Sequence, residues 1–306
     1  MKISKSLKSN MFFLCAAAIW GFAFVAQCEA ADKIDTYLLI FVRYVLGAAA
    51  LLPVIFIFES RNEKKENNKP PLKLTWCFGA ISGTILFIAS ALQQWGLFLD
   101  KNAGKAGVIT GTYTVLVPIF YFLFFRKKTG INVLIGAVCA LVGLYFLSVQ
   151  NGFANISLSD IILFIGAIFW TFHIISIDRF VGRVSPIKFS SVQFFVCGMW
   201  GLLFTLLFGN INLNIAFSQI SSSLVPILYM GICSSGIAYT CQVLGQRDAD
   251  PTYSAIILSL ESVFAAIGGA LFGIDDTMTL RAYIGCAIIF VGIIVSQISF
   301  DKKQNS

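Results

Sequence analysis

Leu92-Gln93-Gln94-Trp95-Gly96-Leu97 comes back 149 residues further on as Cys241-Gln242-Val243-Leu244-Gly245-Gln246, each stretch carrying a glutamine three residues ahead of a glycine. At the same offset, without a gap, Ala89 falls on Ala238, Ala106 on Ala255, Ile135 on Ile284, Gly136 on Gly285, Val142 on Val291 and Gly143 on Gly292. Trp20 and Trp170 lie near that spacing too. A period of half the chain implies two copies of one unit, a first repeat over 1–150 and a second over 151–306.

Composition says what the unit is made of. Of 306 residues 58% are hydrophobic and 12% charged, with a mean hydropathy of +0.83, and a soluble surface needs roughly twice that share of charge. Apolar stretches run over 11–30, 37–58, 75–98, 103–125, 131–149, 159–177, 188–208, 222–245, 252–273 and 281–299. Each is long enough for one membrane crossing of ~20 residues. Ten crossings take about 200 residues, which leaves no room for a soluble catalytic domain. The expected fold is therefore an all-α integral membrane protein of ten transmembrane helices, five in each repeat. An odd number of crossings turns the second repeat upside down relative to the first. The loops agree, because Arg126 and Lys127 fall opposite Asp275 and Asp276 at the repeat offset.

The net charge of +7 is a topology signal and not a nucleic-acid footprint. With the N-terminus inside, 17 Lys and Arg lie on the inner side, in runs such as Arg61, Lys64, Lys65 and Lys69 or Arg126, Lys127 and Lys128. The outer side holds Lys33, Lys101, Lys105 and Arg281, and Arg43 lies within a span. Excess basic charge marks the cytoplasmic face, so a multi-pass cell-membrane protein with both termini cytoplasmic is expected. Lys2, Lys5 and Lys8 ahead of an apolar run resemble a secretory signal, but the run is long for one and removing it would destroy the repeat.

Eight cysteines all sit inside apolar runs with no CxxC pair, so they read as small core residues, and neither metal nor cofactor is expected. The chain has no GxxxxGK[ST], no GxSxG, no HExxH and a single histidine, which argues against ATP hydrolysis and a membrane-embedded enzyme. A carrier, a channel or lipid scramblase, and a scaffold remain. Inverted repeats favour the carrier, because two similar bundles of opposite orientation can exchange conformations around one midplane site.

Several segments together resemble the drug/metabolite transporter superfamily, in its ten-helix EamA-type branch. They are Ile19-Trp20-Gly21-Phe22-Ala23-Phe24-Val25-Ala26-Gln27, Phe41-Val42-Arg43-Tyr44-Val45-Leu46-Gly47-Ala48, Leu92 to Leu97, Ala103 to Tyr113 with Val117-Pro118, and Ser254 to Ala266. The resemblance covers nearly the whole chain. It implies small-metabolite transport, often export, through a central cavity between the halves. Where the family usually reads Glu-Pro this chain has Glu261-Ser262, and Gly273-Ile274-Asp275 replaces its Gly-Glu. Span nine thus lacks the proline that would kink it, and Pro118 is the surviving counterpart in span four.

The few polar groups inside the spans are the candidates for substrate contact. Glu261 lies ~13 Å into span nine, where it could bind a cationic group, take up a proton, or lock helix packing. Arg43 must find an anion at its depth; Glu29 is the expected partner, with a substrate carboxylate as the alternative. Gln27, Gln93, Gln94, Gln242, Tyr113 and Tyr239 could aim hydrogen bonds into a cavity that Trp20, Trp95 and Trp170 line with rings, a mixture suited to an amino acid or another amphiphilic metabolite. His173 could relay protons or be held locally, and Lys105 reads as an anchor at the membrane surface. The GxxxG pairs Gly79/Gly83, Gly107/Gly111 and Gly269/Gly273 make spans three, four, eight and nine the expected cavity walls. The expected partners are a small-molecule substrate and membrane lipid, and the protein a monomer or homodimer.

Overall fold

The computed structural model of the protein describes residues 5–56, 71–126, 129–148, 156–209, 212–275 and 279–297. Lys2, Arg61, Lys64, Lys65, Lys69, Lys127, Lys128, Asp276, Lys302 and Lys303 lie outside the described residues. Among the described residues the chain is all-helical: α1 (Lys5–Ala30), α2 (Thr36–Val54), α3 (Leu72–Leu99), α4 (Ala103–Gly111), α5 (Tyr113–Phe125), α6 (Ile131–Ser148), α7 (Leu158–Val181), α8 (Pro186–Phe208), α9 (Leu213–Ser222), α10 (Leu224–Leu228), the π-helical α11 (Tyr229–Ala238), α12 (Tyr239–Gln246), α13 (Pro251–Leu258), α14 (Leu260–Leu271) and α15 (Leu280–Gln297). Eight helical stretches among them are long and apolar enough to cross a bilayer, counting α4 with α5, α10 to α12, and α13 with α14 as one stretch each. Ile131–Phe146 and Leu280–Ser296 are equally apolar but shorter. This is a multi-pass membrane protein.

Local chemistry sets the helix starts. The side chains of Asp35, Asn102, Ser157, Asn212 and Asp250 each accept a backbone N–H of the first turn they precede, which satisfies donors a helix start leaves open. The caps of the two broken spans, Asn102 and Asp250, are repeat counterparts within one residue.

The packing pattern survives exchange of the two halves. α3 lies on α7 and α8, and its counterpart α11–α12 lies on α1 and α2; α14 packs on α1, and its counterpart α5 on α7. α4 packs on α14 and its counterpart α13 on α5, while α2 packs on α8 and α6 on α15, each against its own counterpart. The last contact depends on glycines that the repeat pairs with each other. A Cβ on Gly136 would lie 2.7 Å from the Gly292 carbonyl oxygen, one on Gly292 2.8 Å from that of Gly136, and one on Gly143 2.6 Å from that of Gly285. Such spacing excludes any side chain and lets the two backbones touch where lipid supplies no hydrophobic drive.

Two features depart from expectation. Residues 213–222 form a helix, α9, where the sequence suggests a loop; none of its residues is buried and Leu213 and Phe217 are exposed, as in helices that lie along a membrane surface. Span nine does break without proline, at Ser259 between α13 and α14. Ser259 has φ −61° and ψ −12°, and its hydroxyl donates to the Ile256 carbonyl at 2.7 Å. Span four breaks in the same way at Thr112, with φ −61°, ψ −17° and a 2.6 Å bond to the Ile109 carbonyl. Pro118 lies inside the following helix, α5. A hydroxyl that occupies a carbonyl three residues back competes with the helical ladder, so Ser and Thr supply the interruption expected of proline.

Candidate functional site

Between the halves lies a cavity with room for the centres of water molecules over about 40 Å³. That holds a few waters, so in this conformation the walls are drawn together and a metabolite would have to part them. Trp20, Gln27, Arg43, Gln93, Tyr113, Trp170, Tyr239, Gln242 and Glu261 all line it. Ala23, Phe24, Thr110, Ile174, Ser234 and Leu258 complete the lining; apolar or small, they look like any other span residue in the sequence. The walls come from α1, α2, α3, α4, α5, α7, α11, α12, α13 and α14, which corrects the four-span expectation: spans one, two and six contribute as much as three, four, eight and nine. Of the glycine pairs, Gly107/Gly111 bring span four onto span nine, against Ala265 and Ser262; the others act elsewhere. Gly79 and Gly83 sit against Val192 and Gln193 of α8, while Gly273, at φ +68°, has nothing beside it and ends a helix.

The repeat is visible in the hydrogen bonds. Trp20 Nε1 donates to the Ser234 carbonyl at 3.3 Å, and its counterpart Trp170 donates to Gln93 Oε1 at 2.7 Å. Gln93 Nε2 then donates to Gln27 Oε1 at 3.1 Å, and Gln27 Nε2 to the Ala23 carbonyl. Tyr239 stands between the tryptophans, 4.6 Å from the Trp20 ring edge-on and 6.1 Å from the Trp170 ring stacked.

The charged groups are placed less symmetrically. Arg43, 5% exposed, does not pair with Glu29, which is exposed. Its guanidinium instead lies 4.7 Å over the Tyr44 ring, with Nη2 3.4 Å from the Tyr44 hydroxyl and Nη1 3.6 Å from Met230 Sδ. Tyr44 is braced by Ser90 at 2.6 Å and Tyr239 at 3.2 Å. Glu261 is 4% exposed and reaches the cavity because span nine breaks two residues earlier. Tyr113, just after the break in span four, lies beside Glu261. Arg43 Nε, Glu261 Oε1, Tyr113 OH and Gln242 Oε1 have no hydrogen-bond partner among the described residues, although buried polar atoms nearly always have one.

Three sequence candidates lie outside the cavity. Gln94 turns away and donates to the Gln27 carbonyl at 3.1 Å. Trp95 is 48% exposed on the outside of the bundle. His173 lies behind the wall, edge-on to Trp170 and Tyr239, with Nε2 3.0 Å from Gln193 Oε1.

Both ends of the cavity are tied across the halves. At one end Asp275 accepts from the N–H groups of Ala103 and Gly104 at 2.9 and 2.6 Å, and Lys105, in place of a free anchor, bridges Asp100 at 2.9 Å and Asp160 at 2.7 Å. At the other, Tyr121 donates to Asp178 and Tyr253 donates to Asn10 at 2.6 Å.

The EamA-like transporter family matches this chain twice, over residues 7–149 and 157–297. The chain belongs to that family. Among its relatives, an uncharacterized transporter of Archaeoglobus fulgidus is 25% identical over 291 residues, covering 95% of this chain and 86% of its own. The uncharacterized transporter YoaV of Bacillus subtilis is 20% identical over 312 residues, 97% of this chain and 99% of its own. A protein of solved crystal structure superposes with a TM-score of 0.71 over 94% of this chain and 96% of that one, at 17% identity, a likeness of fold alone. In this EamA-family chain the two matched segments meet between residues 149 and 157, around the point at which the sequence repeats itself.

Proposed function

We propose that the protein is a secondary transporter that moves a small zwitterionic metabolite, of the amino-acid class, by alternating access. The reading takes the protein as ten crossings, two inverted five-helix repeats and cytoplasmic termini in the cell membrane, with α6 and α15 as the fifth and tenth crossings. One observation carries it: a cavity walled by both halves holds one buried cation, Arg43, and one buried carboxylate, Glu261, neither in an ion pair among the described residues. Unpaired charge at this depth is costly, and a solute with a carboxylate and an ammonium neutralises both ends at once. Trp20, Trp170 and Tyr239 then pack the apolar part of the solute, and Gln27, Gln93, Gln242 and Tyr113 bond its polar remainder.

Export follows if Glu261 holds a proton and the substrate ammonium by turns. The two compete for one carboxylate, so a proton entering is exchanged for a metabolite leaving. His173, screened by two rings, has no part in this scheme.

Purified protein in liposomes tests the proposal. With each of the twenty amino acids as labelled probe, at least one should show saturable uptake accelerated by unlabelled solute inside. Arg43→Gln should weaken its half-saturation about 10- to 100-fold, the worth of a hydrogen bond to a charged group. Glu261→Gln should abolish accumulation driven by a pH gradient while slow exchange persists. Unsaturable flux would indicate a channel or scramblase, and unchanged proton-driven uptake in Glu261→Gln would remove the coupling role.

A further inference from the structure

A second concavity lies on the side of α7 away from the cavity, and transport as described makes no use of it. It is an apolar groove of about 510 Å³. α7 forms its floor from Phe169 onward, Ile81 and Ile85 of α3 one wall and Phe125 of α5 the other, and Arg179 closes one end. The groove exists because span four is broken at Thr112. α3 packs on α4 and α7, while beyond the break α5 packs on α7 and leans away from α3. Ile81 and Phe125 are 45% and 40% exposed, so the trough opens on the outer surface of the bundle.

Its length and its charge define an occupant. Phe169 to Arg179 spans ~15 Å of helix, half of the ~30 Å hydrocarbon core, so the groove runs the depth of a single leaflet. Arg179 stands two residues from the end of α7, where a helix that crosses the hydrocarbon core reaches the headgroups. Its guanidinium is held 4.5 Å over the Phe125 ring and forms no ion pair among the described residues. Arg126 follows Phe125 at the same end. A dry trough one leaflet deep suits an acyl chain, and a planar, exposed guanidinium at its mouth suits a phosphate.

We propose that the groove binds an acyl chain of an anionic phospholipid, with the headgroup phosphate on Arg179. The basic residue selects among lipids, because a choline headgroup carries its own cation to offset the phosphate and a glycerol headgroup does not.

Native mass spectrometry of the full chain in detergent, with equimolar phosphatidylglycerol and phosphatidylcholine of identical chains, tests this. The expected result is retention of one phosphatidylglycerol at about fivefold preference, the effect of one arginine near an anionic headgroup. Arg179→Gln should erase the preference while chain binding persists, and Ile85→Trp, which fills the trough, should reduce retention of both lipids. Because Arg179 is exposed, its substitution leaves the fold intact and the test valid even if Ile85→Trp fails to fold. Equal retention of the two lipids by the unaltered protein, or a preference that survives Arg179→Gln, overturns the proposal.

Discussion

At the end of the bundle where α4 begins, the halves are joined by a carboxylate on two backbone N–H groups and a lysine between two aspartates. At the end where α5 finishes, they are joined by two tyrosine hydroxyls, one on Asp178 and one on the neutral Asn10. Bonds with an ionised partner are roughly twice as strong as neutral ones, and Asp275 also meets the positive end of a helix dipole. The bonds named at the Asp275 end thus all involve an ionised side chain, and those named at the Asp178 end do so at Asp178 alone. If the repeats are inverted, these are ties at the two doors of one cavity.

Asp275→Ala should have the largest effect. It leaves two backbone donors without an acceptor, at ~1.5–3 kcal/mol for each bond to a charged group, and so shifts the population open at that end by at least about tenfold. A membrane-impermeant thiol reagent acting on Thr110→Cys in the cavity, with exposed Cys15 and Cys77 changed to serine, reads this as faster labelling from the Asp275 face. Unchanged labelling would break the contrast.

Tyr121→Phe removes a single bond to a charged group, ~1.5–3 kcal/mol against two such bonds in Asp275→Ala, and should open the opposite end to a lesser extent. The same cysteine should then label faster from the Asp178 face only. Lys105→Gln should act on the Asp275 end by a smaller factor, because partly exposed ion pairs contribute ~0–1 kcal/mol. High salt should reproduce that change in the unaltered protein. Ser259→Ala, which removes the hydroxyl from the break in span nine, should slow turnover about twofold and leave substrate affinity unchanged, as expected of a hinge.

What the sequence disclosed follows from cost. A Gln, Arg, Glu or Trp in an apolar span is conspicuous, and Trp20/Trp170 and Gln93/Gln242 recur at or near the repeat spacing, so nine of the residues picked out before any coordinates line one cavity, while Gln94, Trp95 and His173, equally conspicuous, do not. Ser234 and Thr110 are small enough to pass as packing residues, and Ile174 and Leu258 are ordinary span residues. Arg43 was legible as a problem but not in its solution: a ring one residue away, not a carboxylate, receives it. The break at Ser259 carries no proline to announce it. The ties across the halves at the two ends join residues 55 to 243 positions apart, and no local pattern links such partners.

The central claim is that two inverted halves expose one cavity to one face at a time. Spin-label pairs across each end, measured by double electron–electron resonance in the unaltered protein and in Asp275→Ala, test it most directly. The account predicts that distances across the Asp275 end lengthen while those across the Asp178 end hold or shorten. Lengthening at both ends together would describe a continuous pore and contradict it.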